Sequence, residues 1–189
     1  MVILLVCGFG RCGSSMVMQM LAAGGMPVVG EYPAYEELEC NPITPALLPR
    51  LDGKAVKLLN PHLDPIPAGP CYRAVWLDRD PLQQAKSTVK FLRSVAGVPV
   101  KPCGAKRIAR AAVKDRPRAL ECLRQALGGQ PLVLRFEDIL ADPLGAARQL
   151  AMMCHRPMDV DTMARMVLPR SNKCRPDMLI ESLLVEAHP

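Results

Sequence analysis

Three groups of residues in this chain have the types and spacing to do chemistry. The first is Gly8-Phe9-Gly10-Arg11-Cys12-Gly13-Ser14-Ser15, a turn between two apolar segments. Gly8 and Gly13 stand five apart, which lets a backbone curl and aim several N–H groups at one anion at the mouth of the following helix. The lysine of the nucleotide-binding P-loop is missing, and Ser14 occupies its position. Arg11 instead offers a rigid fork of donors from within the turn, suited to a terminal phosphate or sulfate oxygen. The chemistry indicated is the holding of a tetrahedral oxyanion.

The second group lies in "YRAVWLDRDPLQQAKS", where Asp78, Arg79 and Asp80 close an apolar run and Ser87 follows Arg79 by eight residues. About two helical turns separate them, so a guanidinium and a hydroxyl can meet at one phosphate. The third group is titratable: Lys57 in "AVKLL", the glutamates 31, 36, 37 and 39 of "GEYPAYEELE", and His62 in "NPHLDP". Cys12 stands before a helix start and beside Arg11, a setting that predicts a stabilised thiolate. The C-x-x-x-x-x-R spacing of a cysteine phosphatase is absent.

These groups need a scaffold that brings them to one edge. An unbroken apolar run over residues 2–7 reads as the central strand of a parallel sheet covered on both faces. A helix over 16–23 follows, capped by Ser14 or Ser15 and stopped by Gly24-Gly25. Residues 30–50 carry four prolines and read as a loop around one short helical turn. Further strands are predicted at 55–59, with Lys57 at its end, and at 71–78 and 131–136. Helices are predicted from Pro81, over 105–127 with an interruption at Pro117, from Asp142-Pro143 to 154, and near 159–168 and 176–185. The order makes a single α/β domain over 1–189, a three-layer sandwich around a mostly parallel sheet of four to five strands.

Composition narrows the function. The 189 residues are half hydrophobic and 22% charged, which argues against disorder. Lys and Arg exceed Asp and Glu by 24 to 18, with the excess in residues 86–118. That excess suits an anionic partner, but one Trp, three Tyr and three Phe leave little for base stacking, which argues against nucleic acid. The eight cysteines contain no C-x-x-C, so a reduced, cytoplasmic chain is expected. No stretch is long and apolar enough for a membrane span. No heptad or apolar patch can be read, so a homo-oligomer stays open.

The ordered set "GFGRCGSS", "YRAVWLDRDPLQQAKS" and "PLVLRFEDILADPLGAARQLA" resembles the sulfotransferases that use 3'-phosphoadenosine 5'-phosphosulfate (PAPS), especially small bacterial and phage-type members. The resemblance runs from residue 2 to about 154. It implies that Gly10, Arg11, Cys12, Gly13, Ser14 and Ser15 hold the 5'-phosphosulfate. It places Arg79 and Ser87 on the 3'-phosphate, with Arg170 and Lys173 of "RSNKC" completing that site. Lys57 and Arg11 become the cations of the transition state, with no metal, and PAP (adenosine 3',5'-bisphosphate) the product.

Classical cytosolic members carry a histidine where Leu59 stands here, and the resemblance then implies the family's other arrangement, a glutamate base from the loop after the first helix. Glu36 leads, with Glu37 and Glu31 beside it and His62 as a further candidate. Arg135, Glu137 and Asp138 are expected to be architectural. The acceptor would be a hydroxyl or amine of a small molecule, glycan or lipid, walled by residues 32–49 and 61–70. Two other readings stay open: a P-loop phosphotransferase using Asp78 as its metal carboxylate, and a non-catalytic nucleotide-binding relative.

Overall fold

The computed structural model describes residues 1–94, 99, 101 and 103–169. The predicted helix at 176–185 and the pair Arg170 and Lys173 lie outside the described residues.

Four strands, β1 (Val2–Gly8), β2 (Ala55–Leu59), β3 (Cys71–Asp78) and β4 (Leu132–Arg135), form one parallel sheet in the order β2-β1-β3-β4. Val6 pairs with Lys57 on one side and with Val75 on the other. β1 alternates its side chains between two cores, as strand geometry requires. Leu4 and Val6 join a core with α1 (Ser14–Ala23), α5 (Phe136–Ala141), α6 (Pro143–Met153) and α7 (Val160–Arg165). Ile3, Leu5 and Cys7 point the other way, into a core with Trp76, α2 (Leu48–Leu51) and Ala119 and Leu123 of α4 (Gly104–Leu127). The result is an α/β sandwich of three layers. α3 (Pro81–Ser94) follows β3 directly and packs on α4.

Several elements depart from the sequence expectation. Neither Ser14 nor Ser15 caps α1, because Gly13 takes that place with φ 102° and Ser14 is already helical. Lys57 is the third of five residues of β2 rather than its end. Residues 30–50 hold most of α2 and two 3-10 turns, Leu38–Cys40 and Pro45–Leu47, in place of a single turn. Pro117 does not interrupt α4. The helix is fixed on both sides of it, by Arg116 on Asp78 and by Ala119 and Leu123 in the core, which offsets the lost backbone bond. β4 stops at Arg135, and Phe136 opens α5, a helix the sequence had not suggested, because its ring is drawn into the α1-side core. α7 is shorter than expected, with Asp159 accepting from the Thr162 N–H as its cap.

Among the described residues no helix is long and apolar enough to cross a membrane. The seven described cysteines are free thiols.

Candidate functional site

All strands of a parallel sheet end on one side, and ligands of such sheets bind beyond those carboxyl ends. Here the turn from Gly8 leaves the end of β1, flanked by β2 and β3. The turn is packed too tightly for side chains at two glycines. A Cβ on Gly8 would lie 2.6 Å from Cys12 Sγ and 3.0 Å from the Leu77 carbonyl oxygen, and one on Gly13 would lie 2.7 Å from the Phe136 ring. Arg11 adopts φ 69°, a left-handed conformation that a side chain rarely takes. Such strain persists only where neighbours hold it.

Those neighbours are the residues of the second group. Arg11 Nε donates to Ser87 Oγ at 3.2 Å, and its guanidinium carbon lies 5.3 Å from the Phe91 ring centre. Arg79 donates from a terminal nitrogen to the Arg11 carbonyl at 2.9 Å and stacks 4.1 Å over Phe136. Arg11, Arg79 and Ser87 are thus gathered at one mouth. Gln84, buried on α3, donates from its amide to the carbonyls of Phe9 at 3.1 Å and Gly10 at 2.9 Å. Nothing in the sequence around Gln84 marks it for this role. By taking two carbonyls of the turn, Gln84 fixes which way those peptide planes face.

Lys57 is the centre of the third group. Its side chain is 2% exposed, and Nζ donates to Ser15 Oγ at 3.0 Å, to Glu36 Oε1 at 3.1 Å and to the Ala34 carbonyl. Burial lowers the Lys57 pKa from its ordinary 10.5, against the Glu36 carboxylate, which raises it. Gln19 of α1 donates to the Pro33 carbonyl at 2.8 Å and holds the acidic loop against the helix. Glu36, Glu37, Asn41, Lys57 and Leu59 line a cavity of about 80 Å³. A larger groove of about 280 Å³, between Pro42–Pro45 and Asp64–Pro67, is bounded by both loops expected to wall an acceptor.

The remaining candidates fall less centrally. Glu31 is exposed, does not line the cavity, and accepts the Tyr35 N–H at its backbone carbonyl. His62 sits edge-on to Phe9 at 5.7 Å, and its Nδ1 is buried without a partner among the described residues. It touches the turn rather than the Lys57 cavity. Cys12 corrects an expectation: it is fully buried, and burial pushes its thiol up to about 11 despite hydrogen bonding at Ser14. Its proton stays on at neutral pH, so no reactive thiolate forms.

Asp78 is committed elsewhere. Arg116 of α4 grips it as a fork, with Nε 2.9 Å from Oδ1, and the Trp76 indole donates at 2.7 Å. Burial alone would raise the Asp78 carboxyl, but these hydrogen bonds outweigh it and hold the pKa below 3.8. Glu137 braces the same edge by accepting the Asp80 N–H at 3.0 Å. Among the described residues no three of His, Cys, Asp and Glu cluster as a metal site.

No known family profile matches the chain, and no curated protein matches it. Among solved structures it is similar to retinol dehydratase in complex with androsterone and inactive cofactor PAP. Identity is 16%, the TM-score 0.48, and the match covers 87% of this chain and 62% of that one.

Proposed function

We propose that the chain is a sulfotransferase that passes the sulfuryl group of PAPS to a hydroxyl or amine by in-line transfer. One observation carries this reading. Two arginines and a serine from separate elements meet at a turn that lacks the P-loop lysine, and a buried lysine bonded to that turn sits beside a carboxylate.

The residues fit such a donor. The turn is closed at Gly8 and Gly13 but open at Gly10, where a Cβ would meet nothing within 4 Å. The positive end of the α1 dipole faces the turn and favours an anion there. Residues Gly10 to Ser15 would hold the 5'-phosphosulfate, and Arg79 with Ser87 the 3'-phosphate. When bound, PAPS supplies an activated sulfuryl group and a bisphosphate leaving group.

The chain supplies the rest. Lys57 and Arg11 bring positive charge to the place where charge develops, which is electrostatic stabilisation by groups already positioned. Glu36, 55% exposed and next to Lys57, is open to an incoming acceptor and takes its proton. Leu59, at the cavity wall, cannot serve. Glu37 lines the same cavity and is the next choice; Glu31 and His62 lie outside it. A phosphotransferase would need a carboxylate for magnesium, and Asp78 has its oxygens occupied by Arg116 and Trp76.

Calorimetric titration with PAP, without metal, tests the assignment alongside ATP with and without Mg²⁺. The expected result is metal-free PAP binding that is lost in Arg79→Ala, followed by transfer from PAPS in an acceptor screen. Binding of Mg·ATP alone would overturn it in favour of phosphoryl transfer.

A further inference from the structure

The molecule's charge is concentrated in one helical pair. Residues 81–120, which include α3 and most of α4, hold ten of the chain's 24 Lys and Arg but one of its 18 acids, Asp115. On α4, Lys106, Arg110, Lys114 and Arg118 recur every four residues, with Arg107 beside them, and all five are exposed. A rise of about 1.5 Å per residue makes this a stripe roughly 18 Å long, and about 100° per residue turns most of it away from Arg116, which faces Asp78.

None of the five cations has an ion pair among the described residues. Like charges four apart on a helix repel, at a few tenths of a kcal/mol per pair. A face built only for solubility mixes signs, as the end of this same helix does, where Arg124 pairs with Glu121 at 2.6 Å. The stripe therefore keeps an unfavourable arrangement that a polyanion would relieve.

The residue types around it narrow the partner. Residues 104–118, "GAKRIARAAVKDRPR", contain no aromatic residue and no Ser, Thr, Asn or Gln. No aromatic ring there can stack on a base, and no amide or hydroxyl can read its edge. Val113 is the single large hydrophobic side chain among the exposed ones of that stretch, so there is no apolar face to enter a bilayer as interfacial helices do. What remains is recognition of spaced negative charge alone, with two adjacent cations and a third one turn on, a pattern suited to polysaccharide as well as nucleic-acid patches.

We propose that the outer face of α4 docks a linear acidic polysaccharide. The site is separate from the Arg11–Arg79–Ser87 mouth and does not depend on what is bound there.

Titration of the full chain with a size-defined heparin oligosaccharide tests this, from about 50 to about 300 mM NaCl, where a charge-driven complex must weaken steeply. The comparison set is a mixed-sequence DNA duplex and phosphatidylserine vesicles, with variants Lys106→Gln/Arg107→Gln/Arg110→Gln and Arg124→Gln. Expected are salt-sensitive heparin binding, tighter than to DNA or vesicles, a loss of about ten-fold or more in the triple variant, and little change in Arg124→Gln. PAP affinity should be equal in all three proteins, which separates this surface from the donor site. Absent heparin binding, binding unchanged in the triple variant, or a preference for DNA or vesicles would each overturn the proposal.

Discussion

Burial and the neighbouring Glu36 carboxylate pull the Lys57 proton in opposite directions, and burial wins. The folded pKa is therefore below 10.5, so in the window between the two values the unfolded chain binds more protons. Stability from this group rises with pH across that window, while the ammonium needed for transfer is lost in it. The transfer rate should fall on the alkaline side below 10.5, and a pH–rate profile of wild type shows this limb. Lys57→Met should lower kcat by about 100-fold and abolish the limb. Glu36→Gln should lower kcat by about 100-fold or more with PAP affinity retained, since Glu36 belongs to the acceptor side of Lys57. Equal loss of PAP binding in Glu36→Gln would show instead that the pair merely holds the turn. Cys12 teaches the complementary lesson. Its neighbours in sequence suggested a reactive thiolate, and its depth in the core prevents one.

At the scale of elements, α3 does more than cross from β3 toward α4. It brings Ser87 to Arg11 and Gln84 to the carbonyls of Phe9 and Gly10, across 76, 75 and 74 residues of chain. Gln84→Met keeps the length of the side chain and removes both donors, leaving two carbonyls facing an apolar group. The loss in stability should be about 1–3 kcal/mol, read as a lower midpoint in urea. PAP affinity should also fall by about ten-fold, since anion binding depends on the N–H directions those carbonyls set. A purely structural Gln84 would lower the midpoint and leave PAP affinity untouched.

The same distances explain what was legible in the sequence. β2, β3 and the start of α3 follow from local signals, a short apolar run or a proline at a helix start, and the structure has them at the expected residues. That Arg79 and Ser87 could reach one anion was expected from their spacing, but the bonds that tie each of them to Arg11 were not. Gln84, Arg116 and Phe136 were not legible either. Their parts depend on which side chain a distant segment presents, and nothing in "PLQQAKS" distinguishes Gln84 from Gln83 until α3 has a neighbour. Gly13 displaced the serines as cap for a similar reason. The turn needs a positive φ there, and tertiary demand overrides cap preference.

The whole molecule is two half-cores on a shared sheet, and the candidate site lies where they join. β1 feeds both cores, α1 packs in one, and Trp76, edge-on to Phe9 of the turn at 5.3 Å, lies in the other. A ligand held by the turn and by Arg79 therefore adds its binding energy to the cooperative unfolding of the sheet. At about 100 times its dissociation constant, PAP should add about 2.7 kcal/mol. For a chain of this size that is roughly 5–10 °C in Tm, measurable by scanning calorimetry. Two variants separate binding from folding. Ile139→Ala, which empties a buried position in the α1-side core at a residue with no assigned donor contact, should lower Tm through a loss of about 2–5 kcal/mol and keep the full PAP shift. Arg79→Ala should do the reverse: the shift disappears because the anion has lost its partner at the mouth. If PAP raised the Tm of Arg79→Ala as much as that of wild type, the bisphosphate would be bound elsewhere, and Arg79 would serve only to hold the Arg11 carbonyl and the Phe136 ring.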